Sequence, residues 1–339
     1  MLKIAVIGLG DISKIHIPAI QANPNAMLTA VCDLDESLRS TVPDANFYTD
    51  YQEMLNKESL DCVHVCLPHY LHYPVTKVIV EKGVHVFQEK PLSLNTQEGL
   101  ALAKLEEELQ AKICVCFQNR YNESFELLQE IIASGQLGKM IGIKGLVPWF
   151  RPKEYYDVKP WRGKMELAGG GVMINQALHT IDLMQLLGGE IDSIKGSIAQ
   201  LLDYGIEVED TASAHIHFKN GVKGLFFATN ANAENSSVDI EVSFEKGKFT
   251  IKDSMLIKIN EDGKKEKLIE DAKLPGTKFY YGASHIKLIN QFYNAIINNS
   301  ESYVKVKDAL TSIKMIDAIR QSSEEKRMIK MEELEYANS

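Results

Sequence analysis

Short apolar runs that end in glycine or a polar cluster, each followed by a stretch of helical spacing, recur through the first third of the chain. No other feature restricts the fold as much. Residues 2–8 form such a run with a single Lys, too short for a helix, and read as a strand buried on both faces. Residues 12–21 then show helical spacing, and the pairing returns with strands at 27–33, 61–67, 84–88 and 112–117 and helices at 73–82 and 96–110. Strands alternating with helices predict right-handed β-α-β crossovers, hence a parallel, doubly wound sheet that ends near Arg120.

Beyond a helix over 123–133 the texture changes to longer alternating strands at 139–147, 194–201, 211–218, 222–229, 238–244 and 248–251. Turn signals such as Lys219-Asn220-Gly221 and Glu245-Lys246-Gly247 mark antiparallel hairpins. Helical patterns return at 284–298 and 306–321, and the charged end from Ser322 onward reads as a solvated tail. The expected organisation is an α/β domain over 1–120 and an α+β domain over 121–339 with a large, mostly antiparallel, open-faced sheet. The strand at 211–218 carries apolar or neutral residues on both faces, which predicts a homodimer or homotetramer packed through these sheets.

A net charge of −9 repels phosphate backbones, and no basic run with interleaved aromatics offsets it, so a nucleic-acid partner is not expected. No apolar stretch reaches the roughly 18 residues of a membrane span, and residues near Met1 lack a signal-peptide pattern, so a cytoplasmic protein is expected. The five cysteines, Cys32, Cys62, Cys66, Cys114 and Cys116, lie in apolar runs. Cys62, His64 and Cys66 with Cys114 and Cys116 offer metal-ligand types, but alternation along strands is not zinc-knuckle spacing, and the five cysteines read as reduced core residues with no metal.

Gly8-Leu9-Gly10-Asp11-Ile12-Ser13 follows the first strand and opens a helix, the context a dinucleotide fingerprint requires. Gly8 permits the tight turn, Gly10 lets backbone approach a pyrophosphate, and the helix N-terminus offers N–H groups to the anion; Ser13 replaces the third glycine. Asp33 stands twenty residues beyond Ser13, where a carboxylate accepts from ribose hydroxyls and repels a 2′-phosphate, which selects NAD. Glu89-Lys90-Pro91 closes a strand at the sheet's ligand-binding edge, and an ammonium at Lys90 can stabilise an alkoxide. After Gly169-Gly170-Gly171, a helix would place Asn175, His179 and Asp182 at i, i+4 and i+7, one polar stripe among apolar neighbours. His179 is the natural general base, although a core histidine paired with Asp182 is an equal alternative on the pattern alone.

Taken together, the glycine turn, Cys66-Leu67-Pro68-His69 with His72, Glu89-Lys90-Pro91, Gln118-Asn119-Arg120, Trp161-Arg162, the triple glycine with Asn175 to Asp182, and Tyr281-Gly282-Ala283-Ser284-His285 resemble the Gfo/Idh/MocA oxidoreductases. The resemblance implies a catalytic Lys90 and His179, with a cis Lys90–Pro91 bond. It sets Leu67, Pro68, His69, His72, Glu89, Pro91 and Asn119 beside the cofactor, and Arg120, Trp161, Arg162 and Asn175 beside the substrate with Lys90 and His179. Polyol-oxidising members often carry Asp where this chain has Asn175, an amide that orients a hydroxyl but carries no charge. The implied activity is NAD-dependent oxidation of a secondary hydroxyl of a sugar, cyclitol or sugar derivative. Transient oxidation in an NAD-dependent glycosidase and a non-catalytic cofactor sensor are the alternatives.

Overall fold

The computed structural model describes residues 1–260, 262–273 and 283–336. Its first elements are β1 (Leu2–Ile7), α1 (Ser13–Ala22), β2 (Ala26–Cys32), β3 (Asn46–Tyr48), α2 (Tyr51–Lys57), β4 (Cys62–Val65), α3 (His72–Glu81), β5 (His85–Gln88), α4 (Thr96–Leu109) and β6 (Ile113–Val115). Then come α5 (Glu123–Ala133), β7 (Met140–Pro148), α6 (Glu154–Asp157), α7 (Met165–Ala168), α8 (Val172–Asn175), α9 (Leu178–Gly188), β8 (Ile191–Ala199), β9 (Thr211–Phe218) and β10 (Lys223–Thr229). The chain continues through β11 (Asp239–Phe244), β12 (Gly247–Lys252), β13 (Met255–Ile259), β14 (Lys265–Glu270), α10 (Ser284–Ile297), α11 (Val306–Glu325), β15 (Ile329–Lys330) and α12 (Glu333–Tyr336).

Contacts divide the chain into two units. The first comprises Met1–Ser93, Gln97–Gln118 and Ala283–Leu310, and the second Leu94–Thr96, Asn119–Gly282 and Thr311–Ser339. In the first unit six parallel strands run in the order β3-β2-β1-β4-β5-β6, the doubly wound topology that the alternating pattern predicts. Ile4, Ala5, Val6, Val63 and Val65 are fully buried, as expected of strands covered on both faces. The segment 283–310, which the sequence reading groups with everything after residue 120, packs with this unit. One face of α10 buries Leu288, Ile289, Phe292 and Tyr293, and the Phe292 ring lies 5.9 Å from that of Phe87 on β5.

The second unit holds nine strands in the order β14-β13-β12-β11-β7-β10-β9-β8-β15, antiparallel except for the β7–β10 pair. Ile143, Val147, Ala214, Ile216, Phe226 and Ala228 are buried on one face, where α9 lies against β7. Leu225, Phe227 and His215 are exposed on the other. The end of the chain departs from the tail expected after Ser322. Helix α11 continues to Glu325, and Ser322 and Ser323 are buried, accepting the N–H groups of Gly196 (2.9 Å) and Ile198 (3.0 Å) of β8. Ile329 of β15, fully buried, then extends the sheet beyond β8. The charges that suggest a tail lie on the outer side of a helix whose small polar residues serve a strand. Tyr281 and Gly282 lie outside the described residues.

Candidate active site

At the end of β1 the chain turns at Gly8, whose φ is +92° and whose missing Cβ would stand 2.4 Å from the Cys66 carbonyl oxygen beyond β4. Only glycine fits there. The turn lies where the strand order reverses, between β1 and β4, at their carboxyl ends, the usual ligand position in such sheets. Gly10 is exposed, and a Cβ on it would meet nothing within 4 Å, so the backbone is open to an incoming group. Ser13, buried at the third fingerprint position, donates its hydroxyl to the Gly10 carbonyl at 2.7 Å and closes the turn. Ile12 caps α1 without a side-chain hydrogen bond, and Asp11 is exposed beside it.

Asp33 leaves the end of β2 with both oxygens anchored: Oδ2 accepts the Leu9 N–H at 2.7 Å and Oδ1 the Asp35 N–H at 3.0 Å. Each oxygen keeps a second lone pair, the arrangement needed to accept from vicinal ribose hydroxyls. Gly8, Gly10, the start of α1 and Asp33 therefore form a cradle that fits NAD.

Leu67 and Pro68 are half-buried beyond β4, and His69 is buried at the start of a 3₁₀ turn. His72 is fully buried, with Nδ1 2.6 Å from the Pro91 carbonyl and Nε2 2.8 Å from the Leu67 carbonyl. Burial pushes its pKa down against the opposing pull of the two carbonyls, and a neutral ring donates to only one of them, whereas the protonated ring would donate to both. The Lys90–Pro91 bond is cis, Lys90 and Asn119 are half-buried, and the Lys90 N–H points to Glu89 Oε2 at 3.3 Å.

Glu89 heads a buried polar chain. Its Oε1 lies 2.9 Å from His16 Nε2, His16 Nδ1 lies 2.8 Å from His64 Nδ1, and His64 Nε2 lies 2.8 Å from the Tyr293 hydroxyl. Burial opposes the His16 imidazolium, but neighbouring Cys66 and Glu89 outweigh it and raise its pKa. Burial, reinforced by His16, holds His64 neutral. The hydrogen bonds then follow: His16 donates through both nitrogens, to Glu89 and to His64, and His64 donates from Nε2 to Tyr293. Burial likewise opposes the Glu89 carboxylate, and His16 overcomes it, holding the group well below its usual range.

The signs of these shifts set a pH profile. The depressed Glu89 contributes stability above its ordinary value of 4.5 that is lost as pH falls. The raised His16 contributes stability that is complete below 6.5 and lost as pH rises toward about 10. The denaturant midpoint of wild type should therefore fall on either side of about pH 4.5–6.5 through this pair, and Glu89→Gln should flatten both limbs. Superimposable midpoint–pH curves for the two proteins would reject the assignment.

Donor atoms of His16, Glu89 and Cys116 lie within 4.8 Å of one another, but the histidine and carboxylate already satisfy each other. All five cysteines are free and buried.

In the second unit the expected continuous helix after the triple glycine is two helices, α8 and α9, parted at Gln176 and Ala177. The break has a cause. Gln176 is drawn aside, its amide donating to the Tyr155 hydroxyl (3.0 Å) and its carbonyl accepting from Asn230 (3.0 Å). Gly171 abuts the Glu209 backbone, whose carbonyl accepts the Val172 N–H (2.9 Å) while Glu209 Oε1 accepts that of Met173 (3.2 Å). His179 sits half-buried in the first turn of α9, and Asn175 half-buried at the end of α8. Asp182 does not continue a polar stripe. It is 1% exposed and takes a two-point hydrogen bond from Arg120 Nε (2.7 Å) and Nη2 (2.6 Å). The hydrogen bonds given to Asp182 bring in Arg120 rather than His179, and they tie Arg120, expected at the substrate, into the packing of α9.

Trp161 and Arg162 form a 3₁₀ turn, with the Arg162 guanidinium 4.0 Å from the Tyr155 ring centre. The sequence reading passes over His16, Tyr293, Glu209 and Arg151. A histidine among the apolar residues of α1 was the available signal for the first, and Trp149, Arg151 and Tyr155 interleaved for the last.

The N-terminal part matches the model of the oxidoreductase family with an NAD-binding Rossmann fold over residues 2–117, and residues 125–250 match the GFO/IDH/MocA C-terminal domain. Myo-inositol 2-dehydrogenase of Thermotoga maritima is 24% identical over 98% of this chain and 99% of its own length. Inositol 2-dehydrogenase of Rhizobium meliloti is 24% identical over 97% and 98%. Among solved structures, the WlbA dehydrogenase of Bordetella pertussis in complex with NADH and UDP-GlcNAcA superposes with a TM-score of 0.84 at 26% identity, covering 97% of this chain and 98% of that one. With both domain models matched in order along it, the chain belongs to the GFO/IDH/MocA family of NAD-binding oxidoreductases.

Proposed function

We propose that the protein oxidises a secondary hydroxyl of a sugar, cyclitol or sugar derivative, with Lys90 and His179 as the catalytic residues. The observation that carries this reading is the anchored Asp33 beside the Gly8–Ser13 turn, joined in one chain to Glu89-Lys90-Pro91 and to a histidine in the first turn of α9. NAD, when bound, supplies the electron-pair acceptor. His179 takes the hydroxyl proton, and the Lys90 ammonium stabilises the developing alkoxide. Asn175 orients a neighbouring hydroxyl without adding charge. Glu89, through the Lys90 N–H, fixes the backbone from which that ammonium projects. Screening sugars, cyclitols and nucleotide sugars for NADH formation tests the reading, and no turnover with any of them would favour a sensor instead.

Asp33 should make NAD the preferred cofactor. A lost hydrogen bond to a charged acceptor costs about 1.5–3 kcal/mol, and the carboxylate repels a 2′-phosphate. Titrations should show NAD binding at least about 10-fold tighter than NADP. Equal affinities at moderate salt would sink this expectation.

The exposed sheet face supports assembly. On it Leu225 of β10 stands opposite Lys144 of β7 and His215 of β9, and Phe227 opposite Leu146 and Ser213. A homodimer or homotetramer through this face covers Leu225 and Phe227, which are 43% and 37% exposed in the single chain. Light scattering should give a multiple of 38.0 kDa, and Phe227→Asp should reduce it to the monomer mass. A monomeric wild type at micromolar concentration counts against it. Among the described residues no helix is long and apolar enough to cross a membrane, and the buried free thiols suit a cytoplasmic setting.

A further inference from the structure

Beyond the Trp161-Arg162 turn, the second unit gathers a second guanidinium on the same aromatic ring. Arg151, just past β7, lies 4.7 Å from the Trp149 ring centre and 5.4 Å from that of Tyr155, and Arg162 approaches Tyr155 at 4.0 Å. Neither arginine has a carboxylate partner among the described residues, whereas Arg120, Arg320 and Arg327 are each paired with one. Arg151 uses only Nη1, donating to the Phe150 carbonyl and to Asn235 Oδ1, both at 2.8 Å. Arg162 donates from Nη1 to the Tyr155 carbonyl at 3.2 Å, and its buried Nε has no acceptor. Two half-buried cations sharing one ring in a chain of net charge −9 repel each other and leave donors unmet.

We propose that Arg151 and Arg162 bind the carboxylate of a sugar acid, so that the substrate is a hexuronate, free or nucleotide-linked, rather than a neutral sugar; this rests on the oxidoreductase reading above. The Nε–Nη2 edge of Arg151 presents parallel N–H donors with the spacing of a carboxylate, which a neutral hydroxyl cannot match, and Arg162 adds its Nη2 donors beside them. Cation–π contacts with Trp149 and Tyr155 restrain the two guanidinium groups, so little side-chain freedom is lost on binding. The cluster is tied to the candidate catalytic segment. Tyr155 accepts a hydrogen bond from Gln176 at the break between α8, which carries Asn175, and α9, which carries His179. A carboxylate at the arginines therefore orients the sugar ring beside that segment, and one anion satisfies both cations.

The test is calorimetric binding to the full protein, with and without NAD, of four probes: glucuronate against glucose, and UDP-glucuronate against UDP-glucose. Wild type should bind a carboxylate-bearing member at least about 10-fold more tightly than its neutral counterpart. Arg151→Gln and Arg162→Gln should each erase most of that preference, Arg151→Lys should restore part of it, and NAD affinity should stay within about 2-fold as the control for folding. Preference confined to the UDP pair identifies a nucleotide-linked acid, and preference in both pairs a site that reads the acid itself. UDP-glucose binding as tightly as UDP-glucuronate, no detectable binding of either acid, or a preference unchanged in both Gln variants overturns the proposal. Turnover separates the two readings. A neutral sugar reducing NAD as efficiently as its acid removes the carboxylate site and leaves the oxidoreductase, whereas an acid that binds through the arginines without reducing NAD does the reverse.

Discussion

Lys90→Ala is expected to lower kcat by about 10²- to 10³-fold, because one preorganised donor to a developing oxyanion is worth roughly 3–4 kcal/mol. His179→Ala should cost a factor of about 10²–10⁴, the usual contribution of a general base. On the proposed mechanism both groups act in the same movement of proton and charge, so the double variant should lose less than the product of the two single losses. NAD affinity should change far less than turnover, since the residues of the Gly8–Ser13 turn and Asp33 are untouched. Transfer measured with a C-deuterated substrate keeps the chemical step in view. Undiminished transfer in either single variant would reject the assignment of that residue.

Gly171→Ala should be the most destabilising single methyl in the second unit. A Cβ at this position would stand 1.8 Å from the Glu209 carbonyl oxygen, which is backbone and already accepts the Val172 N–H. Relief requires separating α8 from the strand of residues that follows Glu209, and overpacking of this kind costs about 3 kcal/mol or more. For a unit of this size that corresponds to a fall in Tm of roughly 6–12 °C. Gly10→Ala is the contrasting change, because the added methyl meets nothing within 4 Å. It should leave Tm unaltered and weaken NAD by at least about 10-fold, since it fills space that the cofactor's phosphates need. Thermal scans and NAD titrations on both proteins should separate the two roles, and equal Tm values would refute the first.

Most of the parallel sheet was legible because strands covered on both faces must be continuous apolar runs, as Leu2–Ile7 and Cys62–Val65 are. Strand β3, three residues with an exposed Asn46, leaves no such trace. Strands β13 and β14 carry lysines and glutamates at a sheet margin, where burial does not enforce alternation. The glycine turn and Asp33 could be read because their chemistry is local in sequence. The α8–α9 break could not, since Gln176 bends the chain toward Asn230, a partner 54 positions away. Long-range pairing also hid Arg120–Asp182 and the His16–His64–Tyr293 chain, whose members look like ordinary core residues until the strands are laid side by side.

The first unit's dependence on α10 bears on how the protein is made. His64 and Phe87 leave the ribosome well before the residues that cover them, because Tyr293 is 229 positions beyond His64. Until then the sheet lacks one of its covering helices, and an imidazole and an aromatic face destined for the interior stay wet. Folding of this unit is thus held open across synthesis of nearly the whole second unit, a high contact order that slows closure and lengthens exposure to aggregation. A fragment ending after β6 contains Gly8, Gly10, Ser13 and Asp33 and still lacks the helix that covers His64 and Phe87.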